Sequence, residues 1–243
     1  MTQFYAPYVT SQHKLIEINN KEEIIHIAKS HRAKIGDRIK VFNGKGWVFY
    51  TEIKEISKTK IVLEVIEKQY IPPKNYNLIL FQAIIKPDKF ELVLQKTTEL
   101  GVNEITPVKL ERSEYDVQLY IKKYKRFENI ILEASKQSET AYIPLLNTPL
   151  NNIDKLFEQN ENYLNIVSYK NTSDTLSKYI DEIKNTNTIR LIVGPEGDFS
   201  PKELDFLKTQ KNTIFVKISE NILRSETSSI LLVGLVSQLK EYF

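Results

Sequence analysis

The spacing of hydrophobic and polar residues changes once along the chain, near residue 70. Before that point short apolar runs alternate with polar residues as they do in β-strands, and Asn43-Gly44-Lys45-Gly46 supplies a hairpin turn between two of them. The elements predicted there are strands over His13–Ile18, Arg38–Phe42, Trp47–Ile56 and Lys60–Ile66, and a short helix over Lys21–His31 capped by Asn20. This first part is therefore predicted to be a small β-rich module.

A break follows at Tyr70–Asn75, where Pro72 and Pro73 stand side by side. Paired prolines continue neither a helix nor the hydrogen-bond ladder of a sheet. We therefore expect two domains, covering residues 1–71 and 72–243.

The second part alternates short apolar runs with segments of helical periodicity, which is typical of a largely parallel sheet covered by helices. It is predicted to be an α/β domain. The predicted strands are Asn77–Ala83, Ile105–Val108, Tyr163–Ser168, Leu191–Val193 and Thr213–Ile218, and the predicted helices are Asp88–Leu100, Val117–Ser138, a segment near Ile153–Gln159, one beginning at Ser200, and Ser228–Leu239. The last helix is apolar nearly all round, so we expect it to be buried in a core or at a subunit interface.

The stretch Leu191–Thr227 contains the most informative pattern. A strand ends at Gly194-Pro195-Glu196-Gly197, and a helix start follows, with Ser200 as N-cap and Glu203 placed to close a capping box. The next strand leads into a second polar loop that ends at Thr227. Because open α/β sheets bind ligands beyond the carboxyl ends of their strands, these two loops predict a ligand crevice.

The amino-acid composition excludes several kinds of functional site. The chain of 243 residues has no cysteine, which excludes disulfides, a thiolate nucleophile and cysteine-based metal sites, and its three histidines are scattered. We expect no metal and no membrane span, and a cytoplasmic location, because no apolar run is long enough to cross a bilayer and the N-terminus does not resemble a signal peptide. Residues 1–70 hold 12 Lys and Arg against 8 Asp and Glu, a mild positive charge compatible either with phosphate contacts or with a solvated lysine-rich surface.

The Gly194–Gly197 loop has neither the spacing of a dinucleotide fingerprint nor that of a P-loop. Arg224 and Glu226 stand where the second loop meets the apolar last helix, and buried charges there need partners. Two interpretations remain open from the residues alone. Arg224 pairs with Glu226 or Glu196 and only braces the loops, or these charges serve a ligand.

Several motifs together resemble one family. The pattern strand-GPEGxFS-helix followed by strand-x-x-ILRxET-apolar helix resembles the RsmE-type 16S rRNA uridine-N3 methyltransferases of the SPOUT class. Arg32–Asp37 with Phe42–Gly46 resembles the PUA-like domain of that family, and Gln95–Gly101 and Glu133–Ser138 resemble signatures of its catalytic domain. The resemblance covers nearly the whole chain.

This resemblance implies a small PUA-like β-barrel domain that binds RNA, followed by a SPOUT α/β-knot domain that forms a homodimer and uses S-adenosyl-L-methionine. Three strand-end loops would hold the cofactor. The implied cofactor-binding residues are Ser168, Val193, Gly194, Pro195, Glu196, Gly197, Ile218, Asn221, Ile222, Leu223 and Thr227, and the implied RNA-binding residues are Arg32, Lys45 and Arg224.

The implied reaction transfers a methyl group to N3 of a uridine in 16S rRNA of the small ribosomal subunit, at uridine 1498 in customary rRNA numbering. Our hypothesis is that Arg224 donates hydrogen bonds to uracil or phosphate oxygens and that Glu196 holds a loop or the cationic donor. The chain departs from the family at Gln3, Glu139, Asp198 and Asn221, and three of the departures remove or oppose positive charge. Two alternatives are ribose 2′-O-methylation and a non-catalytic role in ribosome assembly.

Overall fold

The computed structural model describes residues 3–30, 33–157 and 163–242. The chain divides into two compact units, one of Met1–Pro73 with Ser135–Ile143, the other of Lys74–Ala134 with Pro144–Phe243. The domain division at residues 71 and 72 stays a prediction; the compact units differ from it chiefly by placing Ser135–Ile143 with the first. We describe each unit by itself.

The first unit is built on a five-stranded sheet with strand order β1-β3-β4-β5-β2. Its elements are β1 (Gln3–Tyr5), β2 (Leu15–Ile18), helix α1 (Lys21–Ile25) continued by a π-helical turn (His26–Ser30), β3 (Arg38–Phe42), β4 (Trp47–Ile56) and β5 (Ile61–Tyr70). Strand β1 is not predicted from the sequence, because three residues are too few to show an alternating pattern.

The predicted hairpin forms between β3 and β4, with Phe42 paired to Val48. Its turn depends on Asn43, whose Oδ1 accepts hydrogen bonds from the backbone N–H groups of Lys45 (2.9 Å) and Trp47 (3.2 Å). Gly46 has a φ of 97°, and a Cβ there would lie 2.4 Å from the Tyr142 hydroxyl oxygen. Only glycine fits this position without strain.

The second unit is an α/β fold around a six-stranded parallel sheet with strand order β11-β9-β10-β6-β7-β8. Its elements are β6 (Asn77–Ala83), α2 (Pro87–Glu99), β7 (Glu104–Val108), α3 (Val117–Gln137, whose last residues belong to the first unit), β8 (Leu145–Leu146), a 3₁₀ turn (Asp154–Phe157), β9 (Leu164–Ser168), a 3₁₀ turn (Leu176–Tyr179), α4 (Ile180–Asn185), β10 (Thr188–Val193), α5 (Pro201–Thr209), β11 (Thr213–Val216) and α6 (Ser225–Tyr242). The β-rich first part and the parallel α/β second part are as predicted.

Most predicted elements differ from the structure by one or more residues at their ends, and three of these differences have a clear description. Strand β11 ends at Val216 because the N–H of Lys217 leaves the ladder and donates to the Asp174 carbonyl oxygen at 2.7 Å. The last helix begins at Ser225, three residues before its predicted start. The helical segment near residues 153–159 is a single 3₁₀ turn, and residues 158 and 159 lie outside the described residues.

Strands β9, β10 and β11 are neighbours and parallel, so their carboxyl ends meet at one edge of the sheet. A buried apolar cluster on one face of the sheet, including Phe81, Val167, Ile192 and Phe199, holds the strands against α5. None of the helices in the described ranges is long and apolar enough to cross a membrane. The arrangement presents three strand-end loops side by side.

Candidate active site

A cavity of about 270 Å³ lies at the carboxyl ends of β9, β10 and β11. Three loops form its wall: Ser168–Lys170 after β9, the segment from Val193 to Asp198 after β10, and the segment from Lys217 to Ser228 between β11 and α6. Parallel pairing of the three strands brings these loops together, although up to 60 residues separate them in sequence. The crevice predicted from the two polar loops is therefore a cavity built from three.

Close packing and local hydrogen bonds shape the Gly194–Gly197 loop. A Cβ on Gly194 would lie 3.1 Å from a ring carbon of Phe199, so a side chain there would require the ring or the loop to shift by a few tenths of an ångström. The N–H of Asp198 donates to the Pro195 carbonyl oxygen at 3.0 Å, and Asp198 has a φ of 63°. Ser200 then caps α5 through the predicted capping box with Glu203. The chain thus turns sharply between strand and helix.

The loop after β9 is held against the loop after β11. Besides the hydrogen bond from Lys217 to the Asp174 carbonyl, the Asp174 carboxylate accepts from Lys178 Nζ (2.8 Å) and from the Tyr179 hydroxyl (2.5 Å). The hydrogen bond from Lys178, followed by that from Tyr179, lowers the pKa of Asp174 below its usual range. The Asp174 backbone carbonyl therefore joins the two loops, while its carboxylate stays charged at neutral pH and holds the segment from Asp174 to Tyr179.

Serine hydroxyls in the first turn of α6 form hydrogen bonds with residues of the cavity wall. Ser225 Oγ donates to the Gly194 carbonyl oxygen at 2.6 Å, and the hydroxyls of Ser168 and Ser228 lie 2.8 Å apart. These contacts join all three loops to one helix end. Sequence reasoning missed Ser225 and Ser228, although their spacing of three residues places them on one face of a helix that starts at Ser225.

The charged side chains do not form the bracing pairs left open by the sequence. Within the described ranges, no ion pair links Arg224 to Glu196 or to Glu226. Glu226 is buried and pairs with Lys89 instead, at 3.4 Å. Arg224 and Glu196 are both exposed on the cavity wall. Their charges are therefore open to a ligand.

The charge of Glu196 contributes to the pKa of a buried tyrosine, Tyr120. The Tyr120 hydroxyl is buried and donates to the Ile85 carbonyl oxygen at 2.9 Å. Burial raises the pKa of Tyr120 far above its usual value, and the negative charge of Glu196 acts in the same direction. Tyr120 therefore stays protonated and keeps its hydrogen bond to the Ile85 carbonyl oxygen.

The structure brings most of the candidate residues together. Those that line the cavity are Ser168, Val193, Gly194, Pro195, Glu196, Ile218, Asn221, Ile222, Leu223 and Arg224. Gly197 and Thr227 are not among the lining residues; the Gly197 carbonyl oxygen accepts a hydrogen bond from Arg112 Nη1 at 2.9 Å, and Thr227 is exposed on the first turn of α6. Further lining residues that sequence reasoning missed are Tyr169, Lys170, Asp198, Lys217, Ser219, Ser225 and Ser228.

Of the two RNA-binding residues predicted in the first part of the chain, the structure describes only Lys45. Lys45 lies in the first unit and its side chain is exposed on the hairpin turn, next to a backbone bridge between Lys45 and Tyr142. Arg32 lies outside the described residues. The RNA-binding role of both residues stays a prediction.

Two family models match the chain. One is described as an RNA methyltransferase domain and matches residues 72–237; the other, an RNA methyltransferase PUA domain, matches residues 18–66. Together they confirm the predicted succession of a PUA-like domain and a SPOUT-type α/β domain.

Named relatives align over nearly the full chain. The ribosomal RNA small subunit methyltransferase E of Buchnera aphidicola subsp. Schizaphis graminum is 31% identical, with 94% of this chain and 92% of the relative covered. The protein of that name from Rickettsia conorii is 28% identical over the same shares. The alignments therefore span most of this chain and most of each relative.

Solved structures agree with the fold. A methyltransferase of Legionella pneumophila, in complex with the cofactor S-adenosylmethionine, superimposes with a TM-score of 0.84 at 27% identity, covering 97% of this chain and 96% of the other. The ribosomal RNA small subunit methyltransferase E of Neisseria gonorrhoeae superimposes with a TM-score of 0.87 at 23% identity, covering 99% and 98%. With a matching family model over most of its length and whole-chain relatives of one name, the chain belongs to the RNA methyltransferase family, and within it to the RsmE-type ribosomal RNA small subunit methyltransferases.

Proposed function

We propose that this protein transfers a methyl group from S-adenosyl-L-methionine to N3 of a uridine in 16S rRNA, uridine 1498 in customary numbering, and forms 3-methyluridine. The observation that carries the proposal is the cavity at the ends of β9, β10 and β11, with exposed Arg224 and Glu196 on its wall, neither of which forms an ion pair with a residue that the structure describes. The Legionella relative that shares this fold binds S-adenosylmethionine. Methyl transfer of this kind takes place where small ribosomal subunits are assembled, in the cytoplasm.

The residues of the cavity suit this cofactor. Val193, Ile218 and Leu223 supply apolar contacts beside main-chain groups that can read an adenine ring. Ile222 is 81% exposed on the same wall, a large apolar side chain that a bound ligand would cover. The Glu196 carboxylate offers a counter-charge to a sulfonium cation.

The chain's own groups then serve the acceptor. The cofactor would supply the methyl group and leave as a neutral thioether when its carbon–sulfur bond breaks, and the uracil N3 gives its proton to solvent as the new carbon–nitrogen bond forms. Arg224 donates to the uracil or phosphate oxygens and stabilises the negative charge that deprotonation places on the ring. Holding both reactants in one cavity supplies the alignment that the displacement needs. Glu226 and Thr227 follow in the first turn of α6, where the ion pair with Lys89 holds Glu226.

The proposal includes a homodimer. Helices α2 and α6 pack together, and Leu92 on α2, Leu100 directly after it and Leu235 on α6 remain between 36% and 38% exposed. An apolar surface of this kind is expected to be covered by a second copy of the chain. Sedimentation velocity at micromolar concentration tests it: we expect a dimer, and a Leu235→Glu variant is expected to sediment as a monomer.

The decisive experiment compares rRNA from wild-type cells, deletion cells and deletion cells carrying the gene for this protein. Nucleosides are digested and identified by mass spectrometry. We expect 3-methyluridine to disappear in the deletion and to return with the gene. Retention of 3-methyluridine in the deletion contradicts the proposal. Loss of a ribose-methylated nucleoside instead would assign 2′-O-methylation, and no change in any nucleoside would assign a non-catalytic role in assembly.

A further inference from the structure

Gln82 is a fully buried amide side chain in the strand β6, whose other buried residues are mostly apolar. Its register partner on β10 is Val193, the residue immediately before Gly194. Burying an amide costs free energy unless its donors and acceptor find partners. The surroundings of Gln82 provide such partners, and they all lie at the edge of the sheet that carries the cavity.

Each polar atom of the Gln82 amide has a hydrogen-bond partner, and the donors and acceptors of the network can be assigned. Its Nε2 donates to Ser225 Oγ at 2.9 Å and to the Ala83 carbonyl oxygen at 3.0 Å, and its Oε1 accepts from the Ser229 hydroxyl. Ser225 has a single hydroxyl proton, which it donates to the Gly194 carbonyl oxygen. A rotated Gln82 amide would place its oxygen against the Ala83 carbonyl oxygen and against Ser225 Oγ, whose proton is already donated, so the network holds one arrangement.

This chain of bonds ends on the loop that lines the cavity. Gly194 and Ser225 are lining residues and Gln82 is not. The carbonyl group of Gly194 belongs to the peptide bond that leads into Pro195, so its orientation determines where the Gly194–Gly197 loop points. Because Pro195 has no N–H, the peptide bond between Gly194 and Pro195 can be held by a hydrogen bond only through the Gly194 carbonyl oxygen.

We propose that Gln82 is a positioning residue for the cofactor loop, acting through Ser225 on the Gly194 carbonyl. This inference rests on the proposed function, since the ligand that the loop is held for is S-adenosylmethionine. It assigns to Gln82 a role in cofactor affinity, although its side chain does not reach the cavity.

The test measures the Kd for S-adenosylmethionine by calorimetry in the full-length protein. Gln82→Met keeps the length of the side chain and removes its polar atoms; Ser229 can then turn to the Ser225 carbonyl oxygen, already 3.1 Å away, while Ser225 loses its incoming donor. We expect binding to weaken about tenfold, the scale of one disturbed buried hydrogen bond.

Asn165→Leu is the matched control. Asn165 is a buried amide on the neighbouring part of the same sheet, but its Nδ2 bonds to Lys211, Asn212 and Thr213 at the opposite end of β9. Both variants are expected to lower the free energy of unfolding. Only Gln82→Met is expected to change the Kd, which separates positioning from a general contribution to stability.

A double-mutant cycle with Ser225→Ala identifies the route of the effect. If Gln82 acts through Ser225, the double variant binds no more weakly than Ser225→Ala alone. Wild-type affinity in Gln82→Met, or fully additive losses, overturns the inference and leaves the proposed function intact. Failure of the wild-type protein to bind S-adenosylmethionine contradicts both. If Gln82→Met does not fold, wild-type affinity in Ser225→Ala overturns the inference.

Discussion

Glu226 forms its ion pair with Lys89 and not with Arg224. Lys89 Nζ lies 3.4 Å from Glu226 Oε1, and the Glu226 side chain is only 5% exposed. Its second oxygen, Oε2, makes no hydrogen bond with any described residue. Arg224, two residues earlier, is exposed on the cavity wall. The two charges that sequence proximity would pair therefore have separate surroundings, one in the protein interior and one on the cavity wall.

Replacing Arg224 by alanine is expected to lower kcat for RNA methylation about a hundredfold, because a donor that stabilises developing charge is lost. The side chain makes no ion pair with described residues, so the free energy of unfolding should stay within experimental error of wild type. Transfer of a labelled methyl group to small-subunit rRNA measures the rate. Lys211→Ala, an exposed cation at the opposite end of the sheet, is the control and should retain wild-type activity. Equal activity in both variants would remove Arg224 from the mechanism.

Replacing Lys89 by methionine leaves the Glu226 carboxylate buried without its counter-charge. We expect the free energy of unfolding in urea to fall by about 1–3 kcal/mol, less than for a wholly buried pair because Lys89 is partly exposed. Adding Glu226→Gln to this variant should recover part of the loss. Lys96→Met, which breaks a surface pair with Glu99 on the same helix, should cost less than about 0.5 kcal/mol. If Lys89→Met and Lys96→Met lower the free energy of unfolding by similar amounts, the buried Glu226 carboxylate does not depend on Lys89 more than a surface carboxylate depends on its lysine.

Replacing Gly194 by alanine tests the close approach of the loop to Phe199. The added methyl group would lie 3.1 Å from the ring, so the buried ring or the loop has to shift. We expect affinity for S-adenosylmethionine to fall about tenfold, measured by calorimetry. Gly234→Ala is the matched control: its methyl group meets Leu100 at an ordinary 3.5 Å inside α6, where alanine favours the helix by about 1 kcal/mol. That variant should bind normally and melt no earlier than wild type.

The pair of Glu91 on α2 and Arg126 on α3 predicts a pH dependence of stability. Arg126 Nε and Nη2 donate to the two Glu91 carboxylate oxygens at 2.6 and 2.7 Å, and these hydrogen bonds lower the pKa of Glu91. A carboxyl group with a lowered pKa stabilises the fold above its unfolded-state pKa and loses that contribution as the pH falls through the folded-state value. Glu91→Gln should therefore be less stable than wild type at pH 7 and equally stable in strong acid. Thermal melts across this range measure it, and a difference that persists in acid would contradict the assignment.

The sequence determined the local elements wherever a pattern acts over neighbouring residues. Strand β6 has the predicted bounds, because its apolar residues are continuous and buried. The capping box of Ser200 and Glu203 also forms as predicted, since its hydrogen bonds involve only residues three apart. The motifs around Gly194 and Arg224 identified the family for the same reason, because each motif is a contiguous string of residues.

The tertiary structure decided the partners of polar side chains. Glu226 pairs with a lysine 137 positions earlier in the chain, and Gln82 bonds to a serine 143 positions later. Strands β1 and β8 form only because longer strands offer them free edges, so their two or three residues carry no pattern of their own. Sequence spacing predicts contacts along one helix or strand. Which loops meet at the cavity, and which charge is left open to a ligand, depends on strand order and packing between segments far apart in the chain.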